Sequence, residues 1–472
     1  MKRITVTLGL LILSLGLSAQ DNQGKQVDLD KLTASERTRY ETLRYGTESE
    51  IIDLVKSLKN EKNETMDDEL VSLVKSTKNG IILSEVFTFF GDREKPGLEE
   101  RAIEAIANRD EETNQTVMAA VNYVGNIKAP GATDILMDVI NSNDQRYTGA
   151  AFRALGKCGA GKDSAPDIAK YLIEYYENHE TSDDNRREII VSLGELKSTE
   201  GVDFLISIAG NNDERVTRRM SAVTSLSKIG DPRGVKTIIS CVSSPDPNLR
   251  ATAVGALGPF TGDEVDKAII EAFRDSYYRT RIAAAQAAGE RKLEAAVPFL
   301  KFRAERDDVP NVKDEAIKAL GSIGNNESFS ILETLFLERK NSDRVRIVAG
   351  EMLIKYKSGT YAEKFIVELD DAKKRNQNAL YNNLSRIIAT ADTSKVSGLA
   401  ARFLDSGGVV ERSNAMDMMV KNNLRELADK VQPFTDEKKY GTLARKARST
   451  LEKMGIPIKE PEEKQEPETK KE

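Results

Sequence analysis

The chain has 472 residues, 31% of them charged and 6% aromatic, with no tryptophan and a formal net charge of −6. Charge above the ~25% usual for soluble domains points to extensive solvated surface. Without a basic patch the chain is not expected to hold nucleic acid, and with a single histidine it cannot build a His-rich metal site.

In chain order, Met1 to Gln20 have the form of an export signal. Lys2 and Arg3 precede an apolar run from Val6 through Leu17, then the small residues Ser18 and Ala19. The run is shorter than the ~18 residues of a spanning helix, so a cleaved leader is expected, with cleavage after Ala19 or Gln20. No cysteine follows that could take a lipid anchor. Losing Lys2 and Arg3 takes the formal charge to −8, and the mature chain is expected to be periplasmic or secreted, with no membrane span.

Residues 21–34 read as an extended polar segment, and residues 35–95 as an N-terminal helical cap. Ser35 is expected to cap a helix ending near Tyr45, with Gly46 as its stop. The patterns IIDLVKSL, DELVSLV and ILSEVFTFF follow as helices whose pairing stays open.

From residue 96 to 454 one pattern returns every 31 to 38 residues. It is clearest in PDPNLRATAVGALG, Pro245 to Gly258. Leu257, Ala253, Arg250 and Asp246 stand one, five, eight and twelve residues before Gly258, offsets that share one helical face. Gly258 is expected to stop that helix in the left-handed conformation. Equivalent glycines are Gly125, Gly156, Gly194, Gly289 and Gly321, replaced elsewhere by Ser227, Ile354, Ser385, Val420 and Glu452.

The residue before is almost always apolar: Val124, Leu155, Leu193, Leu226, Leu257, Ala288, Leu320, Leu353, Leu384, Met419 and Leu451. Five before, alanine dominates, at 120, 151, 222, 253, 284, 316, 349, 415 and 447, so that neighbouring helices can approach closely. Between motifs lies a second amphipathic stretch such as DPRGVKTIISCV, where Asp231 can cap and Pro232 suits the first turn. Each repeat is therefore a helix pair.

Residues 455–472 carry no core-forming side chain after Ile458 and read as a disordered charged tail. The longest interval, Gly156 to Gly194, places extra residues around Tyr175 to Asn185, as a loop insertion or a longer first helix. Cys158 and Cys241 lie about two repeats apart, about 20 Å for helix layers spaced at 8–10 Å, too far for a disulfide. Both are expected to be buried free thiols.

The segments KALGSIGN (Lys318 to Asn325) and SLSKIGDP (Ser225 to Pro232) resemble the short HEAT-like repeats also found in phycobilin lyases. The resemblance implies an all-α, right-handed α-solenoid of stacked antiparallel helix pairs, and leaves function open because the repeat is so widely used. HEAT-like enzymes resembling deoxyhypusine hydroxylase need repeated His-Glu pairs to hold iron, and this chain has none. Its one histidine, His179, reads as a surface residue. No Gly-rich phosphate loop, G-x-S-x-G elbow or CxxC is present, so no cofactor and no catalytic residue is assigned.

A basic column stands eight before the reference position, at Arg186, Arg219, Arg250, Arg281, Lys313, Arg346 and Arg412. It reads either as a stripe for an acidic ligand or, by the resemblance, as a structural ladder in which aspartates at inter-helix turns meet arginines of the next helix. Asp213 with Arg219 and Asp275 with Arg281, each six residues apart, fit the ladder, to which Asp246, Arg250, Lys313 and Arg346 also belong. In HEAT proteins second helices line the concave face. The resemblance thus makes Arg146, Arg153, Arg279, Gln286, Lys318, Arg344 and Glu351 candidate partner-binding residues, with Tyr147, Tyr277 and Tyr278 as aromatic anchors. The reading is a non-enzymatic exported scaffold for a protein or peptide. The alternatives are a structural component of the cell envelope, or an enzyme or enzyme subunit with a carboxylate and tyrosine site in the groove.

Overall fold

The computed structural model describes residues 32–459 and the backbone of Ser18–Gln20 and Gln26–Asp28, which pair as a short antiparallel ribbon. Most of the leader (1–20), of the extended segment (21–34) and of the charged tail (455–472) lies outside the described residues. Residues 1–237 and 238–472 form two compact units.

The first unit holds α1 (Ala34–Tyr45), α2 (Glu48–Glu61), α3 (Asp67–Ser76), α4 (Gly80–Asp92), α5 (Glu99–Ala107), α6 (Asn114–Asn126), α7 (Thr133–Asn141), α8 (Thr148–Gly159), α9 (Ala165–Asn178), α10 (Asp183–Leu196), α11 (Val202–Gly210) and α12 (Val216–Ile229). The division falls within α13 (Val235–Val242). The second unit holds α14 (Pro247–Ala256), α15 (Asp263–Ala272), α16 (Tyr278–Glu290), α17 (Val297–Arg306), α18 (Pro310–Ile323), α19 (Asn326–Leu337), α20 (Asp343–Lys374), α21 (Asn378–Ile388), α22 (Ser397–Ser406), α23 (Val409–Asn422), α24 (Ala428–Val431), α25 (Glu437–Tyr440) and α26 (Thr442–Lys453).

The expected α-solenoid of stacked helix pairs is the fold. Within the first unit α5 packs on α6, α7 on α8, α9 on α10 and α11 on α12, while the second helices α6, α8, α10 and α12 stack in succession. The second unit repeats the scheme with α15/α16, α17/α18 and α19/α20. α20 breaks at Lys357 (φ −144°, ψ 50°), so a second helix (343–356) runs straight into the next first helix (358–374). In the N-terminal region α2 packs on α4, with α1 against α2 and α3.

Every residue of the apolar column, from Val124 to Leu451, is buried, and every alanine of the small column is fully buried. Each alanine leaves the next second helix room to close in, where a larger residue would force the layers apart at about 1–3 kcal/mol. Cys158 and Cys241 are buried and form no disulfide. The long interval is a longer first helix, since α9 has 14 residues against nine in α7 and in α11.

Two expectations about helix ends need correction. Thr33, not Ser35, caps α1: its side chain accepts from the Glu36 N–H, and the Glu36 carboxylate accepts from the Thr33 N–H at 2.9 Å, a reciprocal capping box that leaves Ser35 inside the first turn. The reference glycines do not stop their helices either. Gly258 follows α14, whose C-cap is Leu257 in the right-handed region; Gly125, Gly156, Gly194, Gly289 and Gly321 lie inside α6, α8, α10, α16 and α18, and none of the six has a positive φ.

Those glycines are contact points. A Cβ at Gly156 would lie 2.8 Å from the Ser192 Cα, and one at Gly125 would lie 2.9 Å from the Ala154 Cα. The left-handed residue comes three positions later, at Lys128, Lys197, Gly230, Lys292, Gly324 and Asn423. Glycine at the reference position thus serves backbone approach between repeats.

Candidate partner-binding face

The basic column settles into the structure rather than forming a stripe. Arg219, Arg281 and Arg346 are 7%, 6% and 4% exposed, too covered for a ligand to reach. Five of the seven instead donate to carbonyls at or just beyond the end of the preceding first helix. Arg219 Nε donates to the Ala209 carbonyl at 3.0 Å and Arg346 Nε to that of Phe336 at 3.0 Å. Arg281 Nη1 donates to Asp275 and Ser276 carbonyls, Arg250 Nη1 to Ser244, and Lys313 Nζ to Glu305. Arg186 and Arg412 lie over the rings of Tyr176 and Phe434, at 4.8 and 4.7 Å from the centroids.

The carboxylate partners differ from those the spacing suggested. Arg219 does not pair with Asp213, which is exposed. Arg250 holds Asp275 of the following repeat (Nε–Oδ2 2.7 Å, Nη2–Oδ1 3.0 Å), and Arg281 holds Asp307 of the next (2.8 Å on both arms). The Arg281 partner is therefore not the Asp275 carboxylate six residues before it, which has already been taken by Arg250. Asp246 accepts from the Asn248 and Leu249 N–H groups as the cap of α14. Arg346 reaches Glu368 at 2.7 Å.

Burial tends to raise the Asp307 carboxyl, but the Arg281 guanidinium and the Val309 N–H more than offset it and hold its pKa below the usual carboxylate value. Asp275 is lowered in the same way, by Arg250 and the Tyr277 N–H against its own burial.

The second-helix candidates divide between the units. In the first, Arg146 is exposed but paired with Asp144 (2.7 Å) and reaches Asn114 of the previous repeat at 3.1 Å. Arg153 on α8 pairs with Glu188 on α10 at 2.7 Å. Tyr147 is 1% exposed and donates its hydroxyl to Asn114 at 2.7 Å, so it ties repeats together and offers no aromatic anchor to a partner.

In the second unit Tyr277 is half-buried, donating to Asn248 at 2.9 Å and meeting the Tyr278 ring edge-on. Arg279 is exposed and donates to the Tyr278 hydroxyl at 3.1 Å. Arg344 bridges to Asp314 (2.6 Å) and Asn311 (2.8 Å) on α18. Lys318 is exposed and lies 3.6 Å from Glu315 on its own helix. Gln286 and Glu351 are exposed and make no side-chain hydrogen bond or ion pair among the described residues. On the same faces Ile282, Ile347 and Val348 are half-buried.

Residues 43–450 match the family described as Spirochaete HEAT repeat protein. The chain belongs to this HEAT-repeat family. No curated protein matches it. Among solved structures, Kap121p is 12% identical with a TM-score of 0.43, covering 88% of this chain and 53% of its own. Importin beta is 14% identical with a TM-score of 0.43, covering 89% and 69%. Human deoxyhypusine hydroxylase is 17% identical with a TM-score of 0.26, covering 57% and 99%. The chain spans about half the length of the Kap121p chain it matches.

This HEAT-repeat protein also carries features that pattern reading passed over. In the N-terminal region Asp67, 5% exposed, takes Arg93 on both oxygens (2.8 and 3.0 Å) and Lys95 at 2.6 Å, with Arg93 stacked 3.8 Å over Phe89. On the first helices of the second unit Phe273, Phe299 and Phe302 line an open groove of about 350 Å3. The available signal was Phe302 itself, three residues after Phe299 and off the core stripe of α17. Among the described residues no cluster of His, Cys, Asp or Glu is placed to hold a metal, and no helix is long and apolar enough to cross a membrane.

Proposed function

We propose that this protein is an exported, non-enzymatic scaffold that holds a protein or peptide partner along its second helices. One observation carries the reading. Gln286, Lys318 and Glu351 occupy the same repeat position on α16, α18 and α20, all exposed, beside the half-buried aliphatic side chains Ile282, Ile347 and Val348. Polar groups around an aliphatic strip have the composition of a non-obligate protein interface. The glycine contacts support it, because Gly289 against Ala319 and Gly321 against Met352 bring the three helices close together, with aliphatic side chains on α16 and α20 and the paired carboxylates Asp314 and Glu315 at the matching places on α18. Export rests on Lys2, Arg3 and the Val6 to Leu17 run.

The test is a variant combining Gln286→Arg, Lys318→Glu and Glu351→Lys. As surface changes these alter stability by about 0.5 kcal/mol each at most, so the fold persists by circular dichroism while recovery of the partner from the producing cells collapses. Unchanged recovery of the same partner sinks the reading. N-terminal sequencing of the mature protein tests export separately, with a start at Gln20 or Asp21 as the expected result.

A further inference from the structure

The groove on the first helices of the second unit is a candidate site of a different kind from the second-helix row. Phe273 follows the last turn of α15 and stacks on Phe299 of α17 with centroids 6.0 Å apart. Phe302, one turn further along α17, is 56% exposed, and Pro298 beside it is exposed as well. A phenylalanine left that open contributes nothing to its own core. Transfer of such a ring out of water is worth about 1.5–3 kcal/mol when complete.

The charged side chains that line the groove, Arg274 and Arg303, are both basic. Arg274 lies over Phe299 at 5.2 Å from the centroid, and Arg303 over Phe302 at 5.3 Å. Arg303 shares Asp307 at 3.3 Å, whereas Arg274, Lys301 and Arg306 meet no carboxylate among the described residues. Elsewhere on the first helices of this unit several cations are matched across repeats, as Lys364 is by Glu333, Arg402 by Asp370 and Lys430 by Asp405, and Lys267 and Lys374, unmatched among the described residues, are lysines with no aromatic groove beside them. The groove therefore presents stacked aromatics and unmatched arginine, the two residue types most enriched at interface hot spots.

We propose that this groove docks an acidic peptide segment of a partner protein, a large apolar side chain seating against Phe299 and Phe302 while flanking carboxylates meet Arg274 and Arg306. Charge complementarity fixes the class of occupant, since an anion alone would leave the rings wet and an apolar segment alone would leave the guanidiniums unmatched. A recess between two helices admits an inserted side chain, which a lipid surface does not supply.

The probe is a short fluorescein-labelled peptide with Asp and Glu flanking a central Phe-Leu, titrated against the full chain by anisotropy. Saturable binding is expected that weakens at least about tenfold, 1.4 kcal/mol, in Phe302→Ser and again in Arg274→Glu. It also weakens with added salt, and it is unchanged in Gln286→Arg, which separates this site from the second-helix row. Both substitutions are at exposed positions, and circular dichroism verifies that they fold. Several results overturn the proposal: no saturable binding, equal binding when Phe-Leu is replaced by Ser-Ser, or equal binding in both groove variants. Tighter binding of a peptide spanning residues 456–472 would assign the groove to the chain's own tail. Loss of binding to phosphatidylglycerol vesicles in Phe302→Ser would assign it to a membrane, and a Phe302-dependent dimer in sedimentation to a second copy.

Discussion

The two units join their repeats by different chemistry. In the first, the buried side-chain links between adjacent second helices are neutral: Ser192 Oγ donates to the Phe152 carbonyl, Ser225 Oγ to that of Ile190 and Cys158 Sγ to that of Val124, beside glycines pressed to backbone, while the Arg153–Glu188 bridge is partly exposed and the buried Asp67 carboxylate, held by Arg93, sits in the N-terminal region. In the second, the links include a buried ion pair, Arg281 with Asp307, the half-buried pair Arg250 with Asp275, the buried Arg346 reaching a half-buried Glu368, and the stacked rings of Phe336 and Phe365 at 4.9 Å. A neutral seam depends on volume and geometry. An ionic one adds dependence on pH, because its strength requires the carboxylate form. The same repeat pattern thus yields units with distinct sensitivities.

The largest expected effect breaks the ionic side. Asp307→Ala takes the buried carboxylate from Arg281 and leaves it only the exposed Asp308 at 3.0 Å, a change of up to about 3–5 kcal/mol, read as a drop in the denaturation midpoint of the second unit. Next, Gly156→Ala pushes a Cβ to 2.8 Å from Ser192 backbone, so about 1–3 kcal/mol is lost from the first unit by overpacking. Gly359→Ala is the control, because a Cβ there meets nothing within 4 Å and alanine gains up to about 1 kcal/mol of helix propensity.

The pH dependence sharpens the contrast. Asp275 and Asp307 have folded pKa values below the usual carboxylate value. Their contribution is therefore complete above the unfolded pKa of about 3.9 and is lost as pH falls from there through the folded values. Acid titration of wild type against Asp307→Asn checks this, and the variant's melting is expected to respond less steeply below that pH. The smallest effect belongs to the exposed bridge of Arg344, where Arg344→Ala costs at most about 1 kcal/mol in a melting experiment.

The fold was legible because repetition multiplies weak signals: eleven apolar positions in one register leave little freedom, and all of them are buried. The role of the glycines was not legible. A glycine after a leucine near a helix end looks like a cap, and only the neighbouring backbone at under 3 Å shows that it is a contact. The ladder was half legible. Spacing put arginine and aspartate together, but Arg281 takes the carboxylate 26 residues ahead in the adjacent layer, while Asp275, six residues behind it, is held by Arg250. Tyr147 was misread because an aromatic at a helix start looks the same in sequence whether it faces a partner or the previous repeat.

The second-helix row is the central claim. A photoreactive side chain placed in the producing cells at Gln286, at Lys318, and at Ser330 on the first helix α19 tests it most directly. The account predicts one captured protein shared by Gln286 and Lys318 and absent at Ser330. Capture at Ser330 equal to that at both others, or none at either second-helix position, would contradict it.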